Sequence, residues 1–166
     1  MLYHVSEESD IRRFEPRPSL HTAEPVVWAI DEGRLRNFLV PRDCPRVTYY
    51  AGLETTPADV ERFLGASPAV VAVGSAWWER LRTCRLYCYH LPAETFACID
   101  EWAGYFVSRD LVVPSHVEVV TDPVAELLRR GAELRLVPDL LALRHAVVAS
   151  TLRYSIIRMK NALGAI

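Results

Sequence analysis

At 166 residues the chain has the size of one domain, since roughly 150 residues per domain leaves no room for two, and it needs no disulfide or metal to hold a core. Half of the residues are hydrophobic (51%) and a quarter are charged (24%), which excludes disorder and collagen-like repeats. A net charge of −2 gives no electrostatic reason to expect nucleic acid or anionic lipid as a partner, and no apolar run approaches the roughly 18 residues of a membrane span.

The first predicted element is a strand, because Leu2-Tyr3-His4-Val5-Ser6 alternates as a half-buried strand does. Residues 14–24, FEPRPSLHTAE, hold two prolines in three positions and no apolar period, which predicts an exposed loop. Val26–Ile30 is a short run of strand formers. Asp31 can cap a helix carrying Leu35, Phe38 and Leu39 that stops at Pro41. Arg46–Ala51 follows as a strand. Thr56-Pro57-Ala58-Asp59 starts a helix with a cap, a proline at the first position and an acid three residues on; the helix ends at Gly65. Ala69–Val73 is a strand, and Ser75 caps a helix through Arg82.

The second half opens on strands at Arg85–Leu91, Tyr105–Val107 and His116–Val120. Asp122-Pro123 begins a helix that closes at Gly131, and Glu133–Val137 is the last predicted strand. From Asp139 the pattern is helical to about Ala162, with a break near Ser150. Several strands follow one another without an intervening helix, so the expected class is α+β. The expectation is one domain over residues 1–166, with a mixed or split sheet, flanking helices and a C-terminal helix. The N-terminus carries His4, Glu7, Glu8 and Asp10 where a secretory signal needs a basic and then an apolar stretch, so a cytoplasmic location is expected.

No phosphate-binding glycine loop, G-x-S-x-G elbow, H-E-x-x-H or paired C-x-x-C is present. Cys84, Cys88 and His90 fall on one face if 84–90 is a strand, but a zinc knuckle needs a turn there, so no metal set is expected and the four cysteines read as free thiols. The densest polar cluster is Pro41-Arg42-Asp43-Cys44-Pro45-Arg46. It is either a rigid surface turn or a preorganised clamp, in which Arg42 and Arg46 grip a carboxylate or phosphate. Arg158, among apolar neighbours, is expected to be buried and hydrogen-bonded on a helix, with Asn161 one turn on. Lys160 is the only lysine in the chain. His4 and Ser6 share one face of the first strand, which suggests a cleft there.

The stretches LYHVSE, FEPR, VVWAIDE, PRDCPRVTYYA, AGYFVS, AELRLVPDL and SIIRMKNA resemble a bacterial family known only as a domain of unknown function. More distantly, LYHVS, FEPR and VVWA resemble the start of ADP-ribosyltransferase-like domains, in which such elements surround NAD. That resemblance implies that His4 holds a ribose, that Trp28, Tyr49 or Tyr50 walls the nicotinamide, and that Glu133 is the late catalytic glutamate in the same groove. The chain departs from the pattern in lacking a clear middle tyrosine or serine and an E-x-E pair. Two readings therefore stand: an ADP-ribosyltransferase-like domain with a nucleotide-compatible cleft and NAD as substrate, and a non-catalytic ligand-binding or protein-interaction domain that uses the arginine-rich turn, with a small molecule or nucleotide as the expected ligand and no nucleic acid or membrane. A metal-dependent hydrolase lacks a ligand set.

Overall fold

The strands separate into two sheets. A computed structural model of the chain describes residues 1–162, and in it contacts divide the chain into two units that interleave in sequence. The first combines Met1–Phe38 with Arg85–Thr121, and the second combines Leu39–Cys84 with the segment from Asp122 onward.

The first unit is built on β1 (Leu2–Ser6), β2 (Val27–Ile30), β5 (Leu86–Leu91), β6 (Ala97–Asp100), β7 (Tyr105–Ser108) and β8 (His116–Val120). They form one sheet in the order β6-β7-β2-β1-β5-β8, with antiparallel neighbours throughout. Because side chains alternate along a strand, register decides which residues share a face. Leu2, Val27, Ala29, Tyr89 and Leu91 are buried together, with Phe14, Phe96 and Phe106 packed against them. Tyr89 is fully enclosed, yet its hydroxyl donates to the Glu8 carbonyl (2.6 Å) and accepts from the Ile11 amide (3.1 Å). The loop over 14–24 is irregular as expected, held at two bridges, Phe14 with Val112 and Arg17 with Val26. β6 has no strand signature in sequence and is exposed along its length.

The second unit holds β3 (Arg46–Tyr50), β4 (Ala69–Gly74), β9 (Ala132–Val137) and β10 (Arg153–Ile157) in the order β10-β3-β4-β9. Only the β4–β9 pair of this sheet is parallel. α3 (Pro123–Arg129) leads into β9 and packs on it, and α4 (Leu140–Val148) lies against β3, β4 and β10. Val47, Tyr49, Val70, Ala72, Leu140 and Val147 form the core of that layer. Val70, Val71 and Val73 have no exposed surface, and each contributes about 1.5–3 kcal/mol by burial.

Helix ends follow local chemistry. Asp122 and Asp139 accept hydrogen bonds from the amides of Ala125 and Ala142 (both 2.9 Å), capping α3 and α4. Gly131, with φ of 73°, takes the left-handed position after α3, which a side chain would resist.

The α+β class with two sheets and flanking helices matches the sequence reading, but several elements differ. The segment after Asp31 is a 3-10 helix over Glu32–Phe38. α1 (Pro57–Asp59) starts at Thr56 as expected, then widens into a π-helical turn at Val60–Leu64. Ser75 caps nothing; it opens a 3-10 turn (Ser75–Trp77) that runs into α2 (Trp78–Thr83). The C-terminal helix ends at Val148, and residues 153–157 form β10 instead of continuing it. No helix of the described residues is long and apolar enough to cross a membrane.

Candidate functional site

Register brings the two most polar motifs of the chain together. β3 begins at Arg46 and β10 ends at Ile157, and these two residues are cross-strand partners. The turn entering β3 and the turn leaving β10 are therefore neighbours at one end of the four-stranded sheet. In the first, Pro41 and Pro45 bracket a tight turn closed by the Cys44 amide donating to the Pro41 carbonyl (3.0 Å). Arg46, 3% exposed, folds back beneath it and donates from Nη1 to the carbonyls of Cys44 (3.0 Å) and Arg42 (3.3 Å). Arg42 and Asp43 stay exposed at the tip. Burial pushes the Cys44 thiol up to about 12, against a smaller pull downward from the Arg46 charge.

In the second turn Arg158 takes the left-handed conformation (φ 57°, ψ 27°), the only non-glycine residue with positive φ among those described. That conformation costs about 1–2 kcal/mol for an L-residue and persists only where the surroundings impose it. A 3-10 turn over Met159–Asn161 follows, and the Asn161 side-chain amide donates to the Asp43 carbonyl (2.7 Å), tying together residues 118 apart in sequence. Asp43, Trp77, Lys160 and Asn161 line an open cleft of about 540 Å³ at this junction. It presents a carboxylate, an ammonium, an amide and an indole. The Trp77 Nε1 is enclosed with no hydrogen-bond partner among the described residues.

Arg158 itself departs from the expectation. It is half-buried, lies past the end of a strand, and its side chain makes no hydrogen bond or ion pair among the described residues. The helical spacing that linked Arg158 to Asn161 does not exist; a single 3-10 turn joins them, the Asn161 amide donating to the Arg158 carbonyl (2.9 Å).

The remaining expected site residues are divided between the two units. Tyr49 has no exposed surface and belongs to the core, while Tyr50 is half-buried on the opposite face of β3. A core tyrosine cannot wall an open groove. Glu133, on β9, accepts from the Ser67 hydroxyl (2.5 Å) and pairs with Arg135 (2.8 Å), which also donates to the Tyr49 hydroxyl (2.8 Å) and the Phe63 carbonyl (2.9 Å). The Ser67 hydrogen bond, and then the Arg135 pairing, hold the Glu133 carboxyl below its ordinary value against the opposing effect of burial.

His4 lies on the six-stranded sheet of the first unit and Glu133 on the four-stranded sheet of the second. The His4 ring donates from Nδ1 to the Trp28 carbonyl (3.1 Å) and packs against Phe14 at 4.8 Å. Ser6, on the same face as His4, is buried and accepts from the Glu8 amide (3.1 Å). Tyr3 pairs with Ile30, which sets Val5 opposite Trp28 and so puts the Trp28 side chain on the other face from His4. There it meets Tyr105 edge to face at 5.7 Å. Cys84 lies outside β5, so the expected run of Cys84, Cys88 and His90 on one strand is reduced to Cys88 and His90.

Trp77 escaped the sequence reading because nothing local connects the turn after β4 with the C-terminal segment. Lys160 did carry a signal, its being the one lysine. No curated protein and no solved structure matches the chain. A family model does match, over residues 3–162, and its span includes both turns of the cleft; the chain belongs to the family of unknown function DUF6886.

Proposed function

We propose that the cleft at the end of the four-stranded sheet binds a small phosphorylated ligand of nucleotide type, and that the domain acts by binding it. The observation that carries this reading is the hydrogen bond from Asn161 to the Asp43 carbonyl, which joins the arginine-rich turn to the segment bearing the only lysine. The chemistry of the lining suits such a ligand. Lys160 offers a point charge for a phosphate, Asp43 accepts from sugar hydroxyls, and the Trp77 indole offers a flat apolar surface for a base. The buried guanidinium of Arg46 holds the turn rigid by bonding its carbonyls, so less ordering is lost on binding. The cleft volume falls within the usual range for small-molecule sites. The absence of a disulfide among the four cysteines of the described residues suits a reducing compartment such as the cytoplasm.

The test is calorimetric titration of the whole chain with AMP, adenosine, inorganic phosphate and NAD. AMP should bind more tightly than adenosine, and Lys160→Ala should weaken AMP at least tenfold while leaving adenosine unchanged. No heat with any of the four at millimolar concentration, or equal affinities in wild type and Lys160→Ala, overturns the reading.

A second reading, an ADP-ribosyltransferase-like NAD site, is favoured by one observation: the His4 ring is oriented by a backbone carbonyl on a strand, as a ribose-binding histidine would need. Against it, Glu133 already spends its carboxylate on Ser67 and Arg135. Loss of NAD binding in His4→Ala, with Lys160→Ala unaffected, replaces the first reading by this one.

A further inference from the structure

We propose that His90, His116 and Glu118, on the adjacent strands β5 and β8 of the first unit, form a binding site for a divalent transition-metal ion of the zinc type. The site is separate from the nucleotide reading and does not depend on it.

The argument begins with register. His90 on β5 is the direct cross-strand partner of His116 on β8, and Cys88 is the partner of Glu118. Alternation then puts His90, His116 and Glu118 on one face of two adjacent strands, with His116 and Glu118 two residues apart. The imidazole rings lie 5.1 Å apart, and the His90 Nε2 stands 3.8 Å from a Glu118 carboxylate oxygen. That separation is beyond hydrogen-bond reach. It is close to the distance between two donors sharing one ion, since ligand bonds of about 2.1 Å in tetrahedral geometry put donors about 3.4 Å apart.

A second observation points the same way. The His90 Nε2 is enclosed and has no hydrogen bond among the described residues. A shielded ring nitrogen that makes no hydrogen bond is uncommon in native proteins, and this one stands within ion-pair reach of the Glu118 carboxylate. The Tyr3 ring, edge-on to His90 at 5.0 Å, steadies the imidazole from the neighbouring strand.

Among the described residues no three such donors yet converge on one point. Glu118 and His116 are both exposed on the edge strand, so His116 completes the set by a rotamer change, which costs little at a surface position. Two neutral imidazoles and a carboxylate, with water in the remaining positions, make an open site suited to Zn²⁺ or Co²⁺.

The experiment titrates the metal-stripped whole chain with Zn²⁺ and, separately, Co²⁺. The expected result is one ion per chain. His116→Ala and Glu118→Gln, both at exposed positions and so expected to keep their melting temperature without metal, should each weaken binding at least tenfold. Cys98→Ser, which removes the exposed thiol, should leave it unchanged. Histidine ring nitrogens in NMR spectra should shift at His90 and His116 and not at His145. The proposal is overturned by the absence of stoichiometric binding, by unchanged affinity in both His116→Ala and Glu118→Gln, or by a thiolate charge-transfer band in the Co²⁺ spectrum.

Discussion

Glu133 shows how a carboxylate half out of water can be a structural rather than a reactive group. Its side chain is 37% exposed, and Arg135 beside it ties β9 to Tyr49 in the core and to the Phe63 carbonyl in the π-helical turn. Because its folded pKa lies below the ordinary 4.5, it contributes stability that is fully present above that value. The contribution is lost as pH falls through the folded pKa. Acid titration of the melting temperature should therefore decline below about pH 4.5, and Glu133→Gln should flatten part of that decline. Solvent screening keeps the effect to about 1 kcal/mol. A slope identical in the variant would show that the carboxylate is energetically idle. The cysteines differ by burial in the same way. Cys98 is exposed, whereas Cys44 is enclosed with its thiol pushed up to about 12. Thiol titration of the native protein should show Cys98 reacting first and Cys44 only on unfolding, as mass spectrometry of the labelled chain would reveal.

The contrast between α4 and β10 shows what an element owes to its own residues. Asp139 caps α4 through the Ala142 amide, a feature local enough to read in sequence. Asp139→Ala should cost about 1 kcal/mol, measured as a lower denaturant midpoint at constant m value. The end of the same helix is decided elsewhere. Ser150 turns its hydroxyl back to the Val147 carbonyl (2.6 Å), and Thr151 is held through its amide (2.8 Å) and hydroxyl (2.6 Å) by Asp59, 92 residues away. The chain then extends as β10 and pairs along its whole length with β3. Residues 139–162 hold no proline or glycine to announce that break, so a helical pattern continued on paper through residues that form a strand. The same long-range anchoring sets the left-handed Arg158 and the cleft beyond it.

Each unit is assembled from two segments that the other unit separates in sequence, so neither can be completed by one continuous stretch of chain. A fragment ending at Cys84 keeps β1 to β4 but loses the partners β5, β7, β9 and β10 that flank them. It should show no cooperative unfolding transition and should be digested rapidly by protease. A sharp transition in the fragment would show that the β1–β2 and β3–β4 pairings suffice. The sequence by itself determined the α+β class, most of the strands, the caps of α1, α3 and α4, and the polar turn at 41–46. Those features depend on alternation, capping and turn chemistry within a few residues. Only the tertiary structure decided which strands share a sheet, that 153–157 is a strand, that Asn161 meets Asp43 and that His90 faces His116. Apart from the β6–β7 and β3–β4 pairs, each of these is a pairing across 26 residues or more of chain, set by register and burial. Spacing along the chain says which face a side chain occupies, but not which other strand will lie beside it.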